Sequence, residues 1–378
     1  MKTKWEKKKL GDVMVQSKNQ KNHINLPYVG MEDIESGTGI FLGSFDPKIV
    51  KSNTFYFNSE HVLYGRLRPY LNKVLLPDFE GHCSTEIIPL KIIGNANKKF
   101  IFYWLTSDPI VDKINRSTTG ARMPRADVSE LLSFEVPIPP EPEQVRIVKI
   151  LDEVFEGIAK AKESVEKNIQ NSKELFESYA RIAFTNTGLW KEKKLGEVCE
   201  LFQGVAINAK TKHILVEMSE LPLLRIKDLK NNTVEQYVDP NNYPKNALVN
   251  ELDLIYTRTG QIGLVFTGKR GVLHNNSFKV APSEILDRSY LYWWLQNPEF
   301  KAEIVKLASR AAQPDITHVL FKQQKIFIPP ISEQQVIVAK LDALQEQTKK
   351  LEANYKQKLT LLKELKKSIL NKAFSGEL

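Results

Sequence analysis

The chain states one pattern twice, and that repetition constrains its fold more than any other feature. Trp5-Glu6-Lys7-Lys8-Lys9-Leu10-Gly11-Asp12-Val13 returns as Trp190-Lys191-Glu192-Lys193-Lys194-Leu195-Gly196-Glu197-Val198. Further on, Ile138-Pro139-Pro140-Glu141-Pro142-Glu143-Gln144 returns as Ile328-Pro329-Pro330-Ile331-Ser332-Glu333-Gln334. The first pair is offset by 185 positions and the second by 190, about half of the 378 residues. Short periods of about 20–50 residues signify solenoids; one this long signifies a duplicated domain. Two copies in one chain predict internal pseudo-twofold symmetry, which suits a two-part target.

Each copy divides into a mixed globular part and a helical tail, so the reading is of four segments: 1–140, 141–186, 187–330 and 331–378. In the first globular part, β-rich runs (Phe55–Phe57, Val62–Tyr64, Lys73–Leu76, Glu86–Ile92) alternate with turn residues, and one helix is predicted over Lys99–Ile114. The second matches with Asp253–Thr257, Ile262–Thr267 and Ser277–Val280, a tight turn at Gly268-Lys269-Arg270-Gly271, and a helix over Tyr290–Leu307. Phe102-Tyr103-Trp104-Leu105 and Tyr292-Trp293-Trp294-Leu295 share the offset of 190 and read as core aromatics.

The proline pairs then act as punctuation, because proline cannot continue a helix interior. Glu143-Gln144 and Glu333-Gln334 follow them as a polar first turn. Beyond lies a seam with steps of four and three: Ile147, Leu151, Val154, Ile158, Ala161, Val165, Ile169, Ser172, Phe176, Tyr179 and Ala183. The same phase gives Ile337, Leu341, Leu344, Thr348, Leu351, Tyr355, Leu359, Leu362, Lys366, Ile369 and Ala373. That is a heptad pattern with one stutter, centred on Val165 and on Tyr355. Neither stripe is stable alone in water. The fold expected is therefore α+β: two mixed α/β domains related by a pseudo-twofold axis, separated by two long helices in an antiparallel coiled coil. The step from Phe184 to Trp190 is six residues, at most about 20 Å, and its symmetry mate is the non-covalent step from Phe374 to Trp5; the two ends should lie side by side.

Net charge is +9, which suits an anionic partner, and nucleic acid is the commonest. Two cysteines at unmatched positions, Cys83 and Cys199, suggest reduced thiols. With no apolar stretch after the basic N-terminus and no run near the roughly 20 residues of a membrane span, a cytoplasmic protein is expected. Motifs for chemistry are missing. The Pro-Pro pairs follow isoleucine rather than the Asn or Asp of a base-flipping motif, and Gly37-Thr38-Gly39 with Gly43 lacks dinucleotide-loop spacing. Glu299-Phe300-Lys301 falls on a predicted helix instead of a nuclease strand. His61, His82 and Cys83 are not repeated as a set and lack zinc spacing, so no metal and no catalytic residue is assigned.

Basic residues placed at strand ends and turns are what the chain offers instead. In the first copy they are Arg66, Arg68 and Lys73, with Arg122 and Arg125 in the loop of residues 117–125. In the second they are Arg258 with Gln261, Lys269 and Arg270 in the tight turn, and Arg310 in the loop of residues 307–315. Arginine can grip a guanine edge bidentately and glutamine an adenine edge, while lysine mostly meets phosphate. One frame carrying different side chains is what two reading heads for two short sequences require. The alternative is a coiled-coil scaffold without sequence-specific DNA binding, which would lack strong, salt-sensitive affinity for DNA.

With its Trp-x₄-Leu-Gly-(Asp/Glu)-Val openings, its Ile-Pro-Pro-x-x-Glu-Gln helix starts and its Ala373-Phe374-Ser375-Gly376-Glu377-Leu378 ending, echoed at Ala183-Phe184, the chain resembles the DNA-specificity subunits of type I restriction-modification systems. The resemblance covers the whole chain. It implies two target recognition domains, each reading half of a bipartite, asymmetric DNA site, with the coiled coil setting the spacer. It also implies two modification subunits that bring S-adenosylmethionine and methylate adenine, and restriction subunits that cleave with ATP and Mg; this chain would hold none of those cofactors.

Overall fold

The computed structural model describes residues 5–21, 25–118, 120, 122–185, 188–309 and 314–378. It divides into two compact units, Met1–Val165 with Lys356–Leu378, and Glu166–Tyr355. Each boundary falls inside a long helix. A unit therefore holds one globular part, the start of the helix that follows it and the end of the other helix. The long helices run Glu141–Ala183 and Ile331–Ser375, each opening just after its proline pair.

In the first unit, the strand Glu6–Lys9 pairs antiparallel with Glu135–Ile138, in register Glu6↔Ile138. The two motifs that open and close the copy are thus neighbours. The same pairing recurs in the second unit between Lys191–Lys194 and Lys325–Ile328. A four-stranded sheet follows in both: Met14–Gln16, Ile87–Ile92, His61–Gly65 and Val74–Leu75 in the first, Cys199–Gln203, Ser277–Pro282, Leu254–Thr257 and Val265–Phe266 in the second. Beyond it the copies diverge. The first unit adds a second four-stranded sheet (Gln20–Lys21, Thr54–Phe57, Gly81–Ser84, Tyr28–Val29), the second a three-stranded one (Leu223–Leu224, Gly271–Leu273, Leu248–Val249) with the ribbon Leu215–Val216 and Tyr237–Val238.

The helix expected over 99–114 is split in two, as is the one expected over 290–307. Lys98–Leu105 is followed by Asp108–Arg116, and Arg288–Leu295 by Pro298–Ala308. Pro109 and Pro298 sit in the first turn of the second helix, where a missing N–H costs nothing, and each would break a continuous one. The first helix of each pair is a core element as expected: Phe100 to Leu105 are all buried, as are Tyr290, Leu291 and Trp293 to Leu295.

Those aromatics seize the long helices, and they do so alike in both units. Phe100 packs on Phe374 with ring centres 5.2 Å apart, and Tyr290 packs on Phe184 at 5.3 Å. Tyr103 Oη donates to Asp152 (2.5 Å) while its ring meets Phe155; Trp293 Nε1 donates to Asp342 (2.9 Å) while its ring meets Phe176. Within the first unit, Arg146 Nη2 donates to the Leu378 carbonyl (2.6 Å) and Lys366 Nζ lies 5.1 Å from the Phe155 ring. Residue numbers rise along one segment as they fall along the other, so the segments are antiparallel there, with Ile147, Leu151, Leu370 and Ala373 in one buried cluster.

The seam positions are buried or half-buried with one exception: Leu351 is 44% exposed. It precedes the stutter at Tyr355; its counterpart in the first helix, Ala161, is half-buried. Lys366, the position that breaks the apolar rule, bends its ammonium to the Gly37 carbonyl (2.6 Å). Both cysteines are free and buried; burial pushes the Cys199 thiol up to about 12.

Gln144 and Gln334 have a role beyond a polar first turn. They are 2% and 0% exposed. Gln144 Nε2 donates to the Pro139 carbonyl (2.9 Å) and Oε1 accepts from the Asn97 N–H (2.7 Å). Gln334 Nε2 donates to the Pro329 and Ile285 carbonyls (2.8 and 3.0 Å) and Oε1 accepts from the Asp287 N–H (2.7 Å). One amide thus ties the proline pair to the N-cap of the aromatic helix.

Candidate nucleic-acid interface

The four-stranded sheet common to the two units ends in the same backbone junction in each. In the first unit, strand His61–Gly65 runs out at Arg66, whose N–H donates to the Glu86 carbonyl (2.9 Å) in the tight turn between Gly81–Ser84 and Ile87–Ile92. The Arg66 carbonyl accepts from the Ala126 N–H (2.8 Å), and Leu67 forms a bridge with Arg125. In the second unit the Arg258 N–H donates to the Asn276 carbonyl (2.9 Å), its carbonyl accepts from the Ile316 N–H (3.0 Å), and Thr259 bridges Asp315. A strand end, a tight turn where the chain passes from one sheet to another, and a loop meet in each.

Different side chains occupy this common frame. Glu86 is gripped twice in the first unit, by Arg66 Nε (3.3 Å) and by Arg125 through Nε and Nη2 (3.0 and 2.7 Å). The hydrogen bond from Arg125, aided by the charges of both arginines and opposed by burial, holds the Glu86 carboxyl below the usual carboxylate range. In the second unit the acid has moved to the loop. Arg258 donates to Asp315 through Nε (2.8 Å) and Nη2, and to Gln203 Oε1 through Nη1 (3.1 Å).

Arg66 and Arg125 meet at the first junction, and Arg68 and Arg122 stand on the chain segments that form it. Arg68 has a left-handed backbone (φ 50°), uncommon for a side chain of this kind, and is held there by its N–H on the Pro124 carbonyl (2.7 Å). Arg68 and Arg122 are exposed, and Tyr70 and Met123 stand beside them at 52% and 45% exposure. Arginines gathered on these segments make the surface attractive to a polyanion. Lys73 differs: half-buried, it donates to the Met31 carbonyl (2.6 Å), a structural tie.

The second unit does not gather its candidates in one place. Gln261 is exposed near Arg258, its carbonyl accepting from Thr257 Oγ1 (2.5 Å). Lys269 and Arg270 lie beyond the other end of the strand, since Ile255 pairs with Phe266 and the Gly268 N–H reaches the Glu251 carbonyl (2.9 Å). Lys269 donates to Asn232 Oδ1 (2.7 Å) and Arg270 is exposed. Arg310 lies outside the described residues. Sequence reasoning searched for cations and passed over Glu86, Asn276 and Gln203. The offset of 190 that relates Arg125 to Asp315 also relates Glu86 to Asn276, so the signal was present.

Among the described residues no group of three or more His, Cys, Asp or Glu side chains is placed to hold a metal. His82 is tied instead to Thr54 Oγ1 (3.0 Å) and the Lys48 carbonyl (2.9 Å), and His61 to Asn58. No helix of the described residues is long and apolar enough to cross a membrane.

The family model for the type I restriction modification DNA specificity domain matches residues 2–169 and again 188–361. The type I restriction enzyme EcoDI specificity subunit of Escherichia coli is 26% identical over 165 residues, 43% of this chain and 36% of that subunit's length. The MjaIX specificity subunit of Methanocaldococcus jannaschii is 23% identical over 309 residues, 74% of this chain and 69% of that one. Among solved structures, a chain of a type I R-M system superposes with a TM-score of 0.85 at 22% identity, covering 100% of this chain and 99% of that chain. The HsdS subunit of Thermoanaerobacter tengcongensis gives 0.66, also at 22% identity, with coverage of 100% and 98%.

Proposed function

The chain belongs to the type I restriction-modification DNA specificity family, carrying that domain twice, and from this premise we propose a division of labour. Each unit reads one half of a bipartite, asymmetric site in double-stranded DNA, and the paired long helices set the spacer between the halves. The chain performs no chemistry. Two modification subunits supply S-adenosylmethionine and methylate adenine, and restriction subunits cleave with ATP and Mg in the cytoplasm. The observation that carries this reading is the doubled junction, one backbone frame with two unlike polar sets.

The test is an exchange. Residues 1–140 are replaced by the corresponding domain of a relative, the chain is produced with its modification subunits, and modified adenines are mapped across the genome. One half of the mapped site should change and the other half should stay. A change in both halves, or in neither, refutes the division; the scaffold alternative predicts no sequence-dependent site at all. Purified alone, the chain should neither bind S-adenosylmethionine nor cut DNA.

A further inference from the structure

Two side chains at the doubled junction are left with an unused recognition edge. In the first unit Arg66 donates to Glu86 through Nε alone (3.3 Å). Its Nη1–Nη2 fork has no protein partner among the described residues, and the side chain is 36% exposed. Glu86 is itself held by Arg125 at two points, so the carboxylate is a fixed anchor and the guanidinium plane is pre-oriented. A planar fork tethered at Nε, with both Nη groups free at a surface, matches the two acceptors O6 and N7 that guanine presents in the major groove.

The second unit closes that option. Arg258 commits Nε and Nη2 to Asp315 and Nη1 to Gln203. At the turn position where the first unit has Glu86, it has Asn276, related by the same backbone bond to the arginine N–H. Asn276 is half-exposed, and its carboxamide has no protein partner among the described residues. A carboxamide offers one donor and one acceptor, the complement of adenine N7 and N6.

We propose that this junction is the base-reading edge of each unit: the Arg66 guanidinium takes a guanine in one half-site, and the Asn276 carboxamide takes an adenine in the other. The inference rests on the function proposed above and deepens it. Glu86 acts as a positioning residue for Arg66, and Asp315 with Gln203 withdraws Arg258 from the bases.

The experiment uses the full chain with its modification subunits and maps modified adenines genome-wide. Arg66→Lys keeps the charge and removes the fork, so discrimination for guanine at one position should fall about five- to a hundredfold. The opposite half-site and the spacing should not move. Asn276→Asp replaces a donor by an acceptor, so adenine should be lost at one position of the other half-site. A mapped site unchanged in both variants with modification at full extent would overturn the proposal. So would a loss spread evenly over all positions, which assigns both residues to phosphate. If Arg66→Lys fails to assemble on a sizing column, Arg66→Gln at the same place carries the test with the same two outcomes. Should the unaltered complex give no bipartite site, the proposed function fails first, and that result is distinguishable from a site that exists and ignores these residues.

Discussion

Arg258 shows how far a side chain's environment changes what its identity suggests. From the sequence it is an arginine at a strand end, suited to a base. In the structure its donors are engaged by Asp315 and Gln203. Arg258→Ala should therefore weaken DNA binding evenly across a panel of single-base variants, by about 1–3 kcal/mol, as the loss of charge-assisted hydrogen bonds loosens the loop; a loss confined to one base would restore it as a reader. Glu86 gives a pH prediction. Its folded pKa is depressed by Arg125, so its contribution to stability is present above the unfolded value of about 4.3 and lost as pH falls through the lower folded one. Glu86→Gln should melt below the parent at neutral pH, and the gap should close below about pH 4 in a thermal-melting series. These pairings join residues 20, 39 and 57 positions apart, so no local pattern marks them; only the offset between the copies hints at them.

At the scale of elements, the long helices were legible in outline. Their starts follow from proline chemistry, and their seam from a period that needs no tertiary knowledge. What the pattern could not supply is the locking of each helix start. Gln334 is fully buried with three backbone partners, and Gln334→Ala would leave those groups without partners in the interior. A loss of at least about 3 kcal/mol is expected by chemical denaturation, each of the three orphaned groups costing about 1–3 kcal/mol. Gln144→Ala should cost less, since it has two partners instead of three. A surface-sized effect, below about 0.5 kcal/mol, would show that the amide is not the tie described. The broken aromatic helices were missed although the break is written locally: Thr106-Ser107-Asp108-Pro109 and Gln296-Asn297-Pro298 interrupt the apolar run with a capping residue and a first-turn proline.

For the molecule as a whole, the expectation that the two chain ends adjoin is met within the first unit. A Cβ built on Gly376 would stand 3.5 Å from the Trp5 ring, and both Trp5 and Phe374 pack on the same buried cluster. A circular permutant that joins Leu378 to Met1 and opens before Trp190 should fold with a melting midpoint near the parent's. With its modification subunits it should give the same mapped site, half-sites and spacing included. A permutant that is unfolded by circular dichroism, or that maps a site of altered spacing, would contradict the symmetry inferred from the repeats.

The sequence by itself determined the duplication, the helix starts, the heptad stripe with its stutter, the core role of the aromatics and the family. All are read from residues close together or separated by one constant offset, and such signals survive without knowing what touches what. Only the tertiary structure decided which strands pair, that each unit shares both long helices, that Leu351 turns outward, and which arginines are closed by carboxylates. Those outcomes depend on long-range hydrogen bonds and on the local phase of a helix. A cation and the anion that neutralises it carry no mark of each other in the chain until the fold brings them within 3 Å.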